Sequence, residues 1–235
     1  DQPRSRGLGD VYKRQRLSFA IMTGLTLLLL VWARWQLPDF AGQPEQKRLG
    51  LRQVLSLRGI RPVLWVTFTY VLAHNILYTY IAPLLVPAGI VADIDRILLV
   101  FGLAALLSIW LTGMLIDQHL RRLLIISCVM FAVSALALGV WMTSTRAVYA
   151  SVALWGLAFG GLPALLQTAL AKSAGDSADA AQSMLVTVWN LGIAGGGLAG
   201  GMLLQTSGVA LFPWAVAGLV LLALAATRRI ARTSA

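Results

Sequence analysis

The sequence predicts an all-α integral membrane protein with seven transmembrane helices. Three observations carry that prediction. Hydrophobic residues make up 58% of the 235 residues and charged residues 12%, and mean hydropathy is +0.78, too apolar a balance to cover a water-soluble domain. Several windows of about 20 residues, the length that crosses a hydrocarbon core at ~1.5 Å rise per residue, carry no charge. Runs such as "LLIISCVMFAVSALALGVWM" show no alternation of apolar and polar residues, which excludes membrane β-strands.

Windows bounded by charge, proline and glycine place the spans at roughly 17–37, 62–86, 96–116, 123–142, 147–171, 181–204 and 208–227. Ahead of them, residues 1–16 contain "DVYKRQ", which is similar to translated adapter or read-through sequence, and the chain does not begin with methionine. This segment is expected to be a non-native leader, with the native chain entering near Leu17 in mid-gene. Residues 38–61 form a polar, basic linker in which Leu51, Val54 and Leu55 recur at helical spacing among Arg48, Arg52 and Arg58, the pattern of a short helix lying on a membrane surface. Residues 62–235 hold the remaining six spans.

Lys and Arg in the connections set the orientation. With the linker cytoplasmic, Arg34, Lys47, Arg48, Arg52, Arg58, Arg61, Arg121, Arg122, Lys172, Arg228, Arg229 and Arg232 all lie inside, while only Arg96 and Arg146 lie outside. The C-terminus is therefore cytoplasmic. The net charge of +10 is distributed in short strips between apolar segments, which suits a lipid bilayer with anionic headgroups and not a nucleic acid. Carboxylates and the two histidines form no metal-ligand spacing, and neither a phosphate-binding glycine loop nor a nucleophile elbow is present, so an enzyme and a metal site are not expected. Cys128 sits alone in an apolar run, where it packs.

Polar residues are unequally shared among the spans. In the second, Thr67, Tyr70, His74 and Tyr78 fall in one stripe with Asn75 on its flank; such a stripe faces protein or a cavity, not lipid. In the fifth, Gly156, Gly160, Pro163 and Gln167 share a side, with Trp155 and Phe159 on another. In the sixth, Ser183, Thr187, Asn190 and Gly197 share a face, and Gly192, Gly196 and Gly200 follow small-xxx-small spacing, which predicts close helix packing. The first, fourth and seventh spans are nearly free of polar side chains and are expected to face lipid. The last six spans read as two triplets with Pro83 and Pro163 in corresponding first helices, an inverted three-plus-three repeat.

"GMLIDQHLRR", Gly113 to Arg122, resembles the loop signature of the major facilitator superfamily: Gly113, Leu115, Asp117, Arg121 and Arg122 match, while Gln118 and Leu120 replace an arginine and a glycine. "YTYIAPLL" from Tyr78 and "VTVWNLGIAGGGLAGG" from Val186 resemble helices 7 and 11 of its drug-proton antiporter branch, particularly the sugar, arabinose and nucleoside exporters. The resemblance implies helices 6 to 12 of a twelve-helix bacterial inner-membrane transporter, with helix 6 at 17–37, the central cytoplasmic loop at 38–61, a C-terminal six-helix half at 62–235, and helices 1 to 5 absent. It implies alternating access around a small-molecule substrate, no cofactor, and coupling to a proton gradient. The coupling carboxylate is expected in the absent half, since no aspartate or glutamate lies mid-span here.

The same resemblance makes Thr67, Tyr70, His74, Asn75 and Tyr78 candidate substrate contacts, with Gln167, Trp189 and Asn190 in support; interhelical hydrogen bonding is the competing role, and the stronger one for Gln167 and Trp189. It makes Asp117 a cytoplasmic latch that docks at a helix N-terminus of the opposite half, with Arg121 and Arg122 at the headgroups. Sugars, nucleosides and amphiphilic drugs fit the stripe about equally. A complete seven-helix receptor or binding subunit, and a facilitative importer of the same fold, are the alternatives.

Overall fold

The computed structural model describes residues 4–36 and 49–230. Lys47, Arg48, Arg232 and most of the linker lie outside the described residues, as does the side chain of Arg229. The described residues are helical apart from short turns, with no strand among them, and the chain divides into two compact units, Asp1–Arg48 and Leu49–Ala235.

The first unit is one helix, α1 (Arg4–Gln36), and the expected boundary at residue 16 falls inside it. Its apolar stretch Phe19–Gln36 has mean hydropathy 1.4 and exposes Leu25, Leu28 and Leu30.

The second unit comprises α2 (Leu51–Ser56), α3 (Ile60–Thr79), α4 (Ile81–Leu85), α5 (Ile94–Trp141), α6 (Thr145–Gly160), α7 (Leu162–Ala174), α8 (Ala178–Ser207) and α9 (Phe212–Ile230). The expected surface helix is α2, and it docks: Val54 is fully buried while Leu51 stays exposed. Among the described residues, four stretches are long and apolar enough to cross a membrane, or five if the bent pair α3 and α4 counts as one.

That pair bends by 68° at Tyr80. Pro83 explains the break, because it has no N–H for the carbonyl of Thr79 and its ring clashes with that turn. Tyr80 is also pulled aside: its hydroxyl donates to the Gly197 carbonyl at 2.8 Å.

Two of the apolar stretches, Val91–Trp141 and Thr145–Ser207, run 51 and 63 residues, far beyond one crossing. Within the first, α5 doubles back at His119, the residue whose φ −127° and ψ 21° leave the helical region. Phe101 and Phe131 both pack on Trp155, with ring centroids 4.8 and 6.1 Å away; a straight helix would hold them ~45 Å apart. α6 therefore lies against both arms. Gly156 and Gly160 bring it onto the backbone of Phe101 and Ala105 in the first arm, and Ser127 and Ser134 of the second arm donate to the carbonyls of Ala158 and Ser151, each at 2.7 Å.

The second arm corrects one expectation. Residues 123–142 were expected to face lipid, but Leu124, Ser127, Cys128, Phe131, Ser134 and Leu138 form a buried face, while Ile126, Val129, Val133, Leu136, Val140 and Trp141 are exposed. The hydroxyls of Ser127 and Ser134 are satisfied by α6, which removes the penalty of burying them. α9 divides in the same way, with Phe212, Val216, Val220 and Ala223 inward and Leu221 and Leu222 outward.

Candidate functional site

The stripe on α3 runs from sealed packing to open surface. Thr67 is fully buried and its hydroxyl returns to Val63 of its own helix at 2.9 Å. Tyr70 is fully buried too, 2.9 Å from Ser127 Oγ. Ser127 gives its only proton to the Ala158 carbonyl, so Tyr70 is the donor in a relay from α3 through α5 to α6. Thr67 and Tyr70, expected as substrate contacts, thus have their hydroxyls engaged within the protein in this conformation, Thr67 on its own helix and Tyr70 across to α5.

His74, one turn further on, is 7% exposed. Its ring stacks on Phe159 with centroids 3.6 Å apart and planes 8° from parallel, and Trp155 Nε1 donates to its Nδ1 at 3.1 Å. Phe101 and Tyr78 complete the group at 5.9 and 5.3 Å. Tyr78 is 45% exposed and forms the outer end. Asn75 turns away, donating to Val71 of its own helix at 2.9 Å and packing against Gly196.

Gln167, Trp189 and Asn190 come together elsewhere. With Pro163, Gln182, Leu185 and Val186 they line a cleft of about 220 Å³ between α7 and α8. Neither Gln167 nor Gln182 spends its amide on a protein partner, and Asn190 uses only Nδ2, on Val186. Interhelical bonding, the stronger expectation for Gln167, is not what its side chain does. Phe159 links the two groups: stacked on His74, it also lies 6.3 Å from the Trp189 ring. Sequence reasoning missed Phe101, Trp155, Phe159 and Gln182 as members of this surface; the aromatic character of "LWGLAFG" was the available signal.

The glycines of α8 explain how α3 approaches so closely. A Cβ on Gly192 would meet Val71 at 3.0 Å, one on Gly196 would meet Asn75 Cβ at 2.5 Å, and one on Gly200 would meet the Tyr80 ring at 2.6 Å. The two helices run parallel through these contacts.

The "GMLIDQHLRR" segment is helical on both sides of its turn. Gly113, Leu115 and Asp117 end the first arm of α5, His119 turns the chain, and Arg121 and Arg122 begin the second. Asp117, Arg121 and Arg122 are exposed. Asp117, Gln118, Leu120 and Arg121 border a cleft of about 270 Å³ shared with Lys172 of α7 and Thr227 and Ile230 of α9. Among the described residues no group of histidine, cysteine and carboxylate side chains could hold a metal ion.

No family model matches the chain. It is similar to the purine ribonucleoside efflux pump NepI of Salmonella paratyphi C, 28% identical over 194 residues that cover 82% of this chain and 49% of the relative. The NepI pump of Salmonella enteritidis PT4 is 27% identical over 198 residues, covering 83% of this chain and 50% of the relative. The chain is a homologue of efflux transporters. It is a multi-pass membrane protein whose relatives are pumps rather than enzymes. The chain spans about half the length of the curated relatives it matches.

Proposed function

We propose that this efflux-pump homologue forms the C-terminal portion, helices 6 to 12, of a major facilitator transporter of the drug-proton antiporter branch. It sits in the bacterial inner membrane with its C-terminus cytoplasmic and exports purine ribonucleosides by alternating access. Seven crossings follow if α1, α3 with α4, each arm of α5, α6 with α7, α8 and α9 each span once. The two triplets after α1 then form the inverted repeat that brackets a midplane site.

The observation that carries the reading is the Trp189 cleft. An indole face beside two unshared amides and the free Oδ1 of Asn190 offers what a planar base with donors and acceptors on its edge requires: stacking across the plane and hydrogen bonds within it. That the relatives are named as purine ribonucleoside pumps supports this chemistry over sugars. Asp117 acts as the cytoplasmic latch. Its exposed carboxylate at the turn of α5 suits the unpaired N–H groups at a helix terminus of the opposing half, a contact of ~0.3–2 kcal/mol that biases a two-state equilibrium without locking it. The proton that drives export binds outside the described residues, because none of their carboxylates lies mid-span.

Everted membrane vesicles carrying the transporter test the reading through uptake of radiolabelled inosine driven by an imposed proton gradient. Uptake that collapses with an uncoupler and falls at least tenfold in Trp189→Ala is expected. Uptake indifferent to the gradient would make the protein a facilitator, and uptake unchanged in Trp189→Ala would remove the cleft from the substrate path.

A further inference from the structure

The hydrogen bond between Trp155 and His74 has a direction. Indole Nε1–H is only a donor, so His74 Nδ1, 3.1 Å away, must present its lone pair, and the neutral ring carries its proton on Nε2. The ring cannot turn over without losing the bond, because the reversed orientation would set the carbon Cδ2–H, which accepts nothing, against the indole N–H. Nor can it tilt, with Phe159 parallel to it at 3.6 Å and Tyr78 at 5.3 Å. The groups packed on it are Phe101 from α5, Trp155 and Phe159 from α6, and Tyr78 from its own helix; all four are aromatic.

Nε2 itself has no protein partner. Among the described residues, the one buried side-chain nitrogen or oxygen left without a hydrogen bond is His119 Nδ1. His74 Nε2 is therefore not sealed, and it is the polar atom through which a side chain only 7% exposed meets the outside.

We propose that Trp155 is a positioning residue that holds His74 as a fixed Nε2–H donor to the transported substrate. A ring locked in this way selects solutes that bring a hydrogen-bond acceptor to it, such as the ring nitrogens or carbonyl of a purine, and rejects those that bring a donor. Discrimination of this kind is strong because a mismatched solute leaves a desolvated donor unpaired. The proposal rests on the nucleoside-export reading above.

Nitrogen NMR on the full-length transporter in phospholipid nanodiscs, with isotope-labelled histidine and tryptophan, identifies the His74 imidazole as the signal lost in His74→Gln. The ring absent from the His74→Gln spectrum should show a protonated Nε2 and a bare Nδ1, and Trp155→Phe should convert it to a mixture of tautomers. Inosine at saturation should shift the Nε2 resonance of the wild-type protein. A proton on Nδ1, or a Trp155→Phe spectrum identical in tautomer to the wild type, would overturn the proposal. Inosine that shifts the Trp189 indole and leaves His74 unmoved would overturn it while leaving the nucleoside reading intact; inosine that moves neither would overturn both. If Trp155→Phe fails to fold, the wild-type tautomer and its response to inosine still decide.

Discussion

Replacing Gly196 with alanine should pry α8 away from α3, and the neighbouring glycine supplies a matched control. The new Cβ would stand 2.5 Å from Asn75 Cβ and 2.7 Å from the Leu72 carbonyl oxygen. Non-bonded carbons rest at about 3.5–4.0 Å, so the helices must separate by roughly 1 Å. One of the two obstacles is backbone and cannot swing aside. Overpacking of this kind costs ~1–3 kcal/mol, and the unyielding carbonyl points to the upper end. Alanine also gains up to ~1 kcal/mol of helix propensity over glycine, which would blur the result in isolation. Gly197→Ala has the same gain, yet its Cβ meets nothing within 4 Å. The difference between the two variants therefore isolates the packing cost, and Gly196→Ala should be the less stable by ~2–3 kcal/mol. The midpoint of SDS-induced unfolding in mixed micelles, followed by tryptophan fluorescence, measures it. Equal midpoints, or a more stable Gly196→Ala, would refute the claim that glycine at this position sets the α3–α8 distance.

The Tyr70 relay predicts an asymmetry in the same assay. Tyr70→Phe leaves Ser127 bonded to Ala158 and should cost ~0.6–1.7 kcal/mol, whereas Ser127→Ala leaves the buried Tyr70 hydroxyl with only the Ser127 carbonyl at 3.4 Å and should cost more, ~1–3 kcal/mol. Asp117→Asn should reduce nucleoside efflux while leaving the amount of protein in the membrane unchanged; unaltered transport kinetics would end the latch argument. Gln182→Leu should raise the KM for inosine with little change in unfolding midpoint, since its amide holds no other part of the protein. Asp93→Asn breaks the 2.9 Å pair with Arg96, whose side chain is 77% exposed, and should shift stability by less than ~1 kcal/mol.

What could be read in the sequence was whatever depends on local spacing. Glycines at every fourth position of α8 imply a close neighbour whatever that neighbour is, and Gly192, Gly196 and Gly200 all meet α3. The charges of Asp117, Arg121 and Arg122 marked the break at which α5 turns. The site was harder to see. Trp155 and His74 are 81 residues apart in the chain, and neither sits in a periodic pattern that names the other, so the ring stack could be found only once α3, α5 and α6 were packed. Ser127 and Ser134 misled for a different reason. A serine hydroxyl barely lowers the hydropathy of a leucine-rich run, yet one satisfied hydroxyl is enough to fix which face of a helix turns inward.

His119 makes the fold-back of α5 with a single non-helical residue, and that economy makes the hairpin a lever. A long loop would absorb a pull on its tip by uncoiling. Here there is no spare chain to uncoil, and each arm is tied to its neighbours: Ser108 Oγ accepts from the Gly161 N–H at 3.0 Å and Ser127 Oγ donates to the Ala158 carbonyl at 2.7 Å. A displacement of the tip should therefore be felt at the aromatic interior, and lengthening the turn by a few glycines should uncouple them while leaving each end folded.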